Sequence, residues 1–324
     1  MTPLEAYLSR REIKRADFFY HLVQASRRMP RFVGSWINKI VFPKVWKHMR
    51  FIPPELAIHP QAPGKWLLTL HGRIITETLP LEELVGKLDK PVSIVASGPS
   101  ARDYPWDQLR DGSRFVIAVN GAPTLLKEYG ITPDLMVVID DKFCQSGAQH
   151  FTNAAGVPLV IETIAGAVWA KIAPDDLRGR KVTFLERVNS WYAIPRSSFS
   201  DLIRLNTSSG RPWVLPQQAD PKFRVGWSHL PELGFFSGRT VTYAAVQIAV
   251  KLGAKEIEII GMDLGGKGRA YEEKENARPS YLDEHYEKYI LPSFEIMARA
   301  LEGTGVKVKN LSPVCPLPAH FFAG

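Results

Sequence analysis

Pro91-Val-Ser-Ile-Val-Ala-Ser97-Gly98-Pro99-Ser100-Ala101 is the stretch whose reading decides the fold. Val92 to Ala96 is a short, mostly apolar run, the pattern of a parallel strand buried on both faces. It breaks into Ser97-Gly98-Pro99-Ser100, small residues without bulk. A strand ending in such a turn lets backbone N–H groups approach an anion closely. An ordinary tight turn has the same composition, so the neighbouring segments must decide between the two.

Downstream the strand pattern repeats. Arg114 to Val119 reads as a second strand ending in Asn120-Gly121-Ala122-Pro123, followed by a helix from Thr124 to Tyr129 that Gly130 stops. Leu135 to Ile139 reads as a third, ending in Asp140-Asp141, and Val157 to Ile161 as a fourth, with Val182 to Leu185 as a candidate fifth. Ser237-Gly238-Arg239-Thr240 opens a helix from Val241 to Leu252, with Ser237 as candidate N-cap and Gly253 as its stop. Lys255 to Ile260 is another strand, ending in Gly261-Met262-Asp263-Leu264-Gly265-Gly266. A helix from Tyr289 to Gly303 and a strand from Val306 to Asn310, ending in Leu311-Ser312-Pro313, complete the pattern. The expected class is α/β: a Rossmann-like, mostly parallel sheet with helices on both faces. In such sheets ligands bind at the carboxyl ends of the strands.

Upstream, residues 51–90 form a connecting segment. Pro53-Pro54 and residues 60–64 read as loop. Lys65 to Ile75 reads as a hairpin with His71-Gly72 at its turn, and Leu79 to Leu88 as a short helix. Residues 91–324 form the expected catalytic domain. Within it, residues 186–235, rich in Pro, Ser, Arg and Trp, read as a long irregular insertion over the site. Residues 265–284, Gly-rich and then charged, read as a lid.

The net charge is +8, and its location matters more than its size. Residues 1–50 hold eleven Lys or Arg against three acids, Glu5, Glu12 and Asp17, so the whole excess sits there. Phe18, Phe19, Tyr20, Phe32, Trp36 and Trp46 are interleaved with these bases. A basic, amphipathic helical extension of this kind suits an anionic membrane surface. A helical hairpin packed on the body is the alternative, and no fingerprint of a nucleic-acid module is present. No run of about 18 apolar residues exists to span a bilayer as a helix. The first residues lack the basic-then-apolar order of a signal peptide. The two cysteines, Cys144 and Cys315, exclude a disulfide scaffold and a multi-cysteine zinc site, and suit the cytoplasm.

The strand ends at Ser97, Asn120, Asp140 and Ser312, with the helix start at Ser237-Gly238-Arg239, make a polar cleft suited to an anionic nucleotide. The lysine-bearing phosphate loop and the full dinucleotide glycine fingerprint are both absent. Asp140-Asp141 fits a divalent metal, a ribose or sugar contact, or a helix cap. Of the histidines, His285 in Tyr281-Leu-Asp-Glu-His285-Tyr286 is the candidate base. Its spacing alone fits a surface histidine better.

Ser93 to Ala101, Ala118 to Ala122, Ser237-Gly-Arg-Thr240 with its helix, and Ile260-Gly-Met-Asp-Leu264 together resemble the CMP-Kdo-dependent Kdo transferases of the lipopolysaccharide core. More distantly they are similar to the bacterial CMP-sialic-acid-dependent sialyltransferases, whose fold is a GT-A variant. The resemblance covers about residues 91–315. It implies a donor site formed by Ser97, Gly98, Pro99, Ser100, Asn120, Gly121, Asp140, Asp141, Ser237, Gly238, Arg239, Asp263, Tyr271 and Ser312, and His285 as catalytic base. Three positions depart from the sialyltransferase pattern: Ser97 and Asp140 stand where that family has Asn, and Gly265 where it has a second lid tyrosine. Arg239 or Lys267 is then the expected substitute. The resemblance further implies inverting transfer from CMP-Kdo to a lipid-anchored inner-core glycan, at the inner face of the cytoplasmic membrane. It requires no cofactor or metal, because the leaving group carries one phosphate. Another CMP-nonulosonate transferase is the near alternative. A pterin diphosphokinase-like enzyme and a non-catalytic, membrane-associated nucleotide-binding protein are the distant ones.

Removal of residues 1–50 is expected to reduce co-sedimentation with anionic phospholipid vesicles at low salt. Undiminished co-sedimentation would count against the membrane reading.

Overall fold

The computed structural model describes residues 48, 52–53, 55–62, 64–192, 194–218, 220, 222–265, 268–272 and 282–322. All of the basic extension except His48 lies outside them, as do residues 266–267 and 273–281 of the expected lid, Lys267 included.

Three strands come first: β1 (Leu56–Ala62), β2 (Lys65–Leu70) and β3 (Arg73–Glu77), an antiparallel meander. The expected turn between β2 and β3 is present, with His71 at φ 49° and Gly72 at φ 77°, the doubly left-handed pair that two-residue hairpins need. β1 runs through Pro60, which had read as loop. It lies at the sheet edge, where a missing N–H is tolerated, and its register shifts between Pro60 and Ala62. The predicted helix after the hairpin is shorter than expected, α1 (Leu81–Val85).

The main sheet has seven strands: β4 (Val92–Val95), β5 (Phe115–Val119), β6 (Leu135–Val138), β7 (Leu159–Glu162), β8 (Val182–Leu185), β11 (Glu256–Ile260) and β12 (Lys307–Asn310). Their order is β12-β11-β4-β5-β6-β7-β8 and every pair is parallel. The class read from the sequence is therefore present. All four residues of β4, β6, β7 and β8 are buried, which is why these strands are mostly apolar and do not alternate; Ser93, Glu162 and Thr183 are their buried polar members. On one face Val92, Ile94, Ile117, Val119, Leu135 and Val137 pack with α8 (Val241–Lys251) and α9 (Leu291–Leu301). On the other, Met136, Val138, Leu159 and Ile161 pack with α5 (Thr163–Ile172) and with the small sheet through Leu56, Trp66 and Leu68. α2 (Ala122–Glu128) covers the β4–β5 half of that face. The segments after β6 and β7, unassigned from sequence, are short helices: α3 (Asp141–Ser146), α4 (Ala148–Asn153), α5 and α6 (Pro174–Arg178).

From β4 the chain steps outward through β5, β6, β7 and β8. It then crosses back to lay β11 on the other side of β4, with β12 outside it. The direction reverses between β4 and β11, so a crevice opens at their carboxyl ends.

Residues 186–235 have little regular structure but an ordered core. They form α7 (Phe199–Ser208) and a two-stranded antiparallel ribbon, β9 (Trp213–Val214) and β10 (Trp227–Ser228), around the fully buried Trp191, Trp213 and Trp227. Ser198 caps α7 by accepting from the Asp201 N–H at 3.2 Å, a Ser-x-x-Asp capping signal present in the sequence. Asn206 locks helix to ribbon: its side-chain NH2 donates to the Trp213 carbonyl at 2.9 Å, and its side-chain oxygen accepts from the Trp213 N–H at 3.0 Å. The segment leaves and rejoins the body at one place. Phe235 N–H donates to Glu186 O (2.9 Å) and Val188 N–H to Phe235 O (3.0 Å), a parallel bridge at Arg187 and Phe235.

Replacing buried Asn206 by Leu leaves two backbone groups of Trp213 unpaired, at roughly 1–3 kcal/mol each. A loss of about 2 kcal/mol or more in urea unfolding followed by tryptophan fluorescence is expected, and an unchanged midpoint would contradict this role.

Candidate active site

At the carboxyl edge of the sheet lies a cleft of about 960 Å3. Its floor is the row of strand ends: Ser97 and Gly98 after β4, Asn120 after β5, Asp140 and Asp141 after β6, Glu162 at the end of β7 and Arg187 just past β8.

The turn after β4 is held from within. Gly98 N–H donates to Gly261 O at 2.8 Å. Ser100 N–H donates to Asp263 Oδ2 at 2.9 Å, and the Ser100 hydroxyl donates to Asp263 Oδ1. Pro99 has no N–H. The expected cradle of backbone donors for an anion is thus committed to the β11 end. Ser100 and Asp263, expected at the donor, hold the turn in place, and Ser312 does likewise by accepting from Met262 N–H at 2.6 Å. Ser312 and Ser100 do not line the cleft; Ser97, Gly98, Pro99 and the edge of Asp263 do.

Asn120 has φ 48°, and its side-chain oxygen is buried with no hydrogen-bond partner among the described residues. Asn tolerates this left-handed conformation better than other side chains do, and such strain concentrates at functional sites. Two more cleft residues share it, Arg239 (φ 62°) and Leu264 (φ 57°). Gly121 faces the other way. A methyl group there would lie 2.4 Å from the Tyr271 ring. Tyr271 sits over it and against His150, with ring centres 4.6 Å apart. Neither residue lines the cleft, so the lid tyrosine expected at the phosphate packs on the α2 side instead. Asp140 caps α3 by accepting from Lys142 N–H at 2.9 Å, the cap alternative read from its sequence. Among the described residues, no three His, Cys, Asp or Glu side chains are grouped to hold a metal.

The roof of the cleft is the start of α8 and residues around His285. Thr240, not Ser237, is the α8 N-cap residue, and no side chain caps it. Buried Ser237 and Thr242 and half-buried Val241 line the cleft. Gly238 does not; its N–H donates to Arg224 O at 3.0 Å, and its left-handed φ of 49° brings it against the Tyr243 ring. His285 ends a 3-10 turn (Asp283–His285) ahead of a π-helical turn (Tyr286–Ile290). Its Nε2 accepts from the Arg239 guanidinium. Burial first, then the positive charges of Arg239 and Arg224, lower its pKa below the ordinary histidine value. The lowered pKa favours the neutral imidazole, whose Nε2 lone pair is taken by Arg239.

Sequence reading missed the most charged part of the site. Arg187, Arg196 and Arg224 join Arg239 around the cleft, together with Glu162 and His48. Burial lowers the pKa of Arg196, Arg224 and Arg239, and neighbouring arginines lower each further. Glu162 is buried, which raises its pKa. Arg187 opposes that shift at 3.8 Å, and Ile164 and Ala165 N–H donate to it at 3.0 Å each. His48 is held through Nε2 by the Trp191 carbonyl at 2.8 Å, and burial drives its pKa down to about 4. The only sequence signal for this group was the arginine content of residues 186–235.

The family model of the 6-hydroxymethylpterin diphosphokinase MptE-like proteins matches residues 73–269, from β3 through the Asp263 turn and more than half of the chain. The chain belongs to this MptE-like family. Two curated relatives carry the name probable 3-deoxy-manno-octulosonic acid transferase. The Escherichia coli (strain K12) protein is 29% identical over 241 residues, covering 72% of this chain and 81% of the relative. That of Salmonella typhimurium is 26% identical over 243 residues, covering 74% and 87%. They agree with the Kdo-transferase resemblance carried by the motifs of this MptE-like chain. Among solved structures, a glycosyltransferase of Magnetospirillum magneticum AMB-1 overlaps at 17% identity and TM-score 0.44, covering 71% of this chain and 33% of its own. The sialyltransferase CstII of Campylobacter jejuni overlaps at 13% and 0.37, covering 72% and 88%. No described helix is long and apolar enough to cross a membrane.

A Cβ on Gly98 would lie 2.5 Å from Gly261 O and 2.6 Å from Asp263 Cγ, neither of which can yield cheaply. Gly98→Ala is expected to destabilise the chain by about 1–3 kcal/mol in denaturant unfolding. A neutral effect would mean that the turn is looser than its hydrogen bonds imply.

Proposed function

We propose that this chain is an inverting glycosyltransferase that moves Kdo from CMP-Kdo to a lipopolysaccharide inner-core acceptor at the cytoplasmic membrane face. The observation that carries the reading is a neutral imidazole, His285, set among guanidinium groups in a cleft at the sheet's switch point. The names of the two curated relatives support Kdo as the transferred sugar.

The cleft offers what the reaction needs. A donor phosphate meets Arg239, the Ser237 hydroxyl and the uncapped first turn of α8, whose N–H groups carry the helix's partial positive charge. Asn120 offers its unpartnered side chain to the sugar or base. A phosphate is a stronger acceptor than imidazole, so it draws the Arg239 guanidinium and leaves His285 Nε2 to the acceptor hydroxyl. His285 then takes the hydroxyl proton as the acceptor oxygen bonds to the anomeric carbon. The bond from that carbon to the phosphate oxygen breaks, and CMP leaves with the electron pair, its charge held by the same donors. A single-phosphate leaving group gives a metal no required part.

A second reading, pterin diphosphokinase activity, is favoured by the family match. It requires ATP and Mg2+ and releases AMP. CMP release from CMP-Kdo with a lipid A-core acceptor, set beside AMP release from ATP with 6-hydroxymethylpterin, separates the two. Calorimetric competition between CMP-Kdo and CMP-sialic acid ranks the donors, and a preference for the latter would replace Kdo with a sialic acid.

His285→Ala is expected to lower transfer by about 10²–10⁴-fold while CMP still binds. The active form is the neutral imidazole and its pKa is lowered, so activity should persist below the ordinary histidine range and fall only at still lower pH. Arg239→Gln removes a positive neighbour and should shift that acid limb of log kcat to higher pH. A limb that stays in place would remove Arg239 from the assignment.

A further inference from the structure

Three of the cleft arginines hold no donor group in this transfer, although the charge of Arg224 also bears on His285. Arg187, Arg196 and Arg224 come from the segment between β8 and α8, and all three are partly buried. Their neutralisation is thin. Arg187 has Glu162 at 3.8 Å and donates to the Ile139 carbonyl. Arg196 donates to the Ser190 hydroxyl at 3.0 Å. Arg224 lies over the Tyr289 ring, 5.1 Å from its centre. The Nε atoms of Arg187 and Arg196 are buried without a hydrogen-bond partner among the described residues. Like charges gathered out of water cost stability unless an anion joins them, and forked guanidinium donors match phosphate oxygens.

The group runs from the β8 end of the sheet to the edge of the donor site, where the Arg224 carbonyl accepts from Gly238 N–H at 3.0 Å. β8, which leads into Arg187, stands four strands from β4 in the sheet, about 19 Å at the usual strand spacing. Gly98 and the β4–β11 crevice lie at the other end of that row. A CMP-sugar acid brings one phosphate charge and one carboxylate charge, which Arg239 and the start of α8 can meet.

Resting on the transferase reading above, we propose that Arg187, Arg196 and Arg224 form an acceptor-anion site, selecting a glycan that carries a phosphate monoester near the attacked hydroxyl. The donor binds the β4–β11 half of the cleft, and the acceptor's phosphate docks over the β6–β8 half. The acceptor hydroxyl is thereby presented to His285 between them.

The test is calorimetric titration of inorganic phosphate into the full chain saturated with CMP, on wild type, Arg196→Gln and Arg224→Gln. One phosphate is expected to bind beside CMP, about tenfold or more weaker in each variant, with Arg196→Lys recovering part of the loss. Both Gln variants should melt no lower than wild type, because each relieves like-charge repulsion. A purely structural role predicts lower melting and no change in phosphate affinity. Displacement of phosphate by CMP would assign the arginines to the donor, and absence of phosphate binding would also overturn the proposal. A second arm compares transfer to a lipid A-core acceptor before and after phosphatase treatment. The acceptor KM should rise about tenfold or more on dephosphorylation in wild type, and not in Arg196→Gln. If CMP-Kdo is not turned over while phosphate still binds at these arginines, the transferase reading fails and the anion site stands.

Discussion

The parallel pairing of Val92–Val95 with Ile257–Ile260 joins segments separated by most of the catalytic domain. Four strands and the tryptophan-cored segment must be placed before it closes. Closing so long a loop costs entropy that local contacts do not repay. The pair is accordingly backed by interactions of its own: Gly98 to Gly261, Ser100 to Asp263, and Ser312 to Met262. These bonds also set the crevice, since they fix where the two strand ends diverge. Stability and site geometry therefore rest on the same few atoms here, and substitutions in this turn act on both.

The cleft is stabilised unequally across its width. At its β4–β11 side the strand ends are tied by hydrogen bonds between Gly98 and Gly261, Ser100 and Asp263, and Met262 and Ser312. Its β6–β8 side holds partly desolvated arginines against one buried carboxylate. Such a side is preorganised for an anion at some cost to the free fold. His285 is placed between the two, where burial and then Arg239 and Arg224 lower its pKa against the opposing pull of Glu284.

Much of this fold was legible in the sequence. The strands of the main sheet were visible because parallel strands buried on both faces are mostly apolar, as from Phe115 to Val119 or Leu135 to Val138. The strand ends Ser97, Asn120 and Asp140 were visible for the same reason: polarity begins where the strand stops. Helices α3 to α6 were hidden by their brevity and, for α3, by a cap, Asp140, that read equally well as a ligand group. The coupling of Ser100 to Asp263 was invisible because no local period links residues so far apart. Tyr271 matched a motif yet packs on Gly121. The arginine group was concealed by an aperiodic stretch whose order comes from three buried tryptophans, not from repeating polarity.

The bridge at Arg187 and Phe235 brings the two ends of the tryptophan-cored segment side by side on the rim of the sheet. Between those ends the segment is tied into the main core: the Gln247 side chain of α8 accepts from Ser228 N–H at 3.1 Å, and the Tyr243 hydroxyl donates to the Gly226 carbonyl at 2.7 Å. Under the proposed acceptor-anion site, the residues that choose the acceptor share a core with the helix that meets the donor, so a change made in this segment for a new acceptor reaches α8 as well.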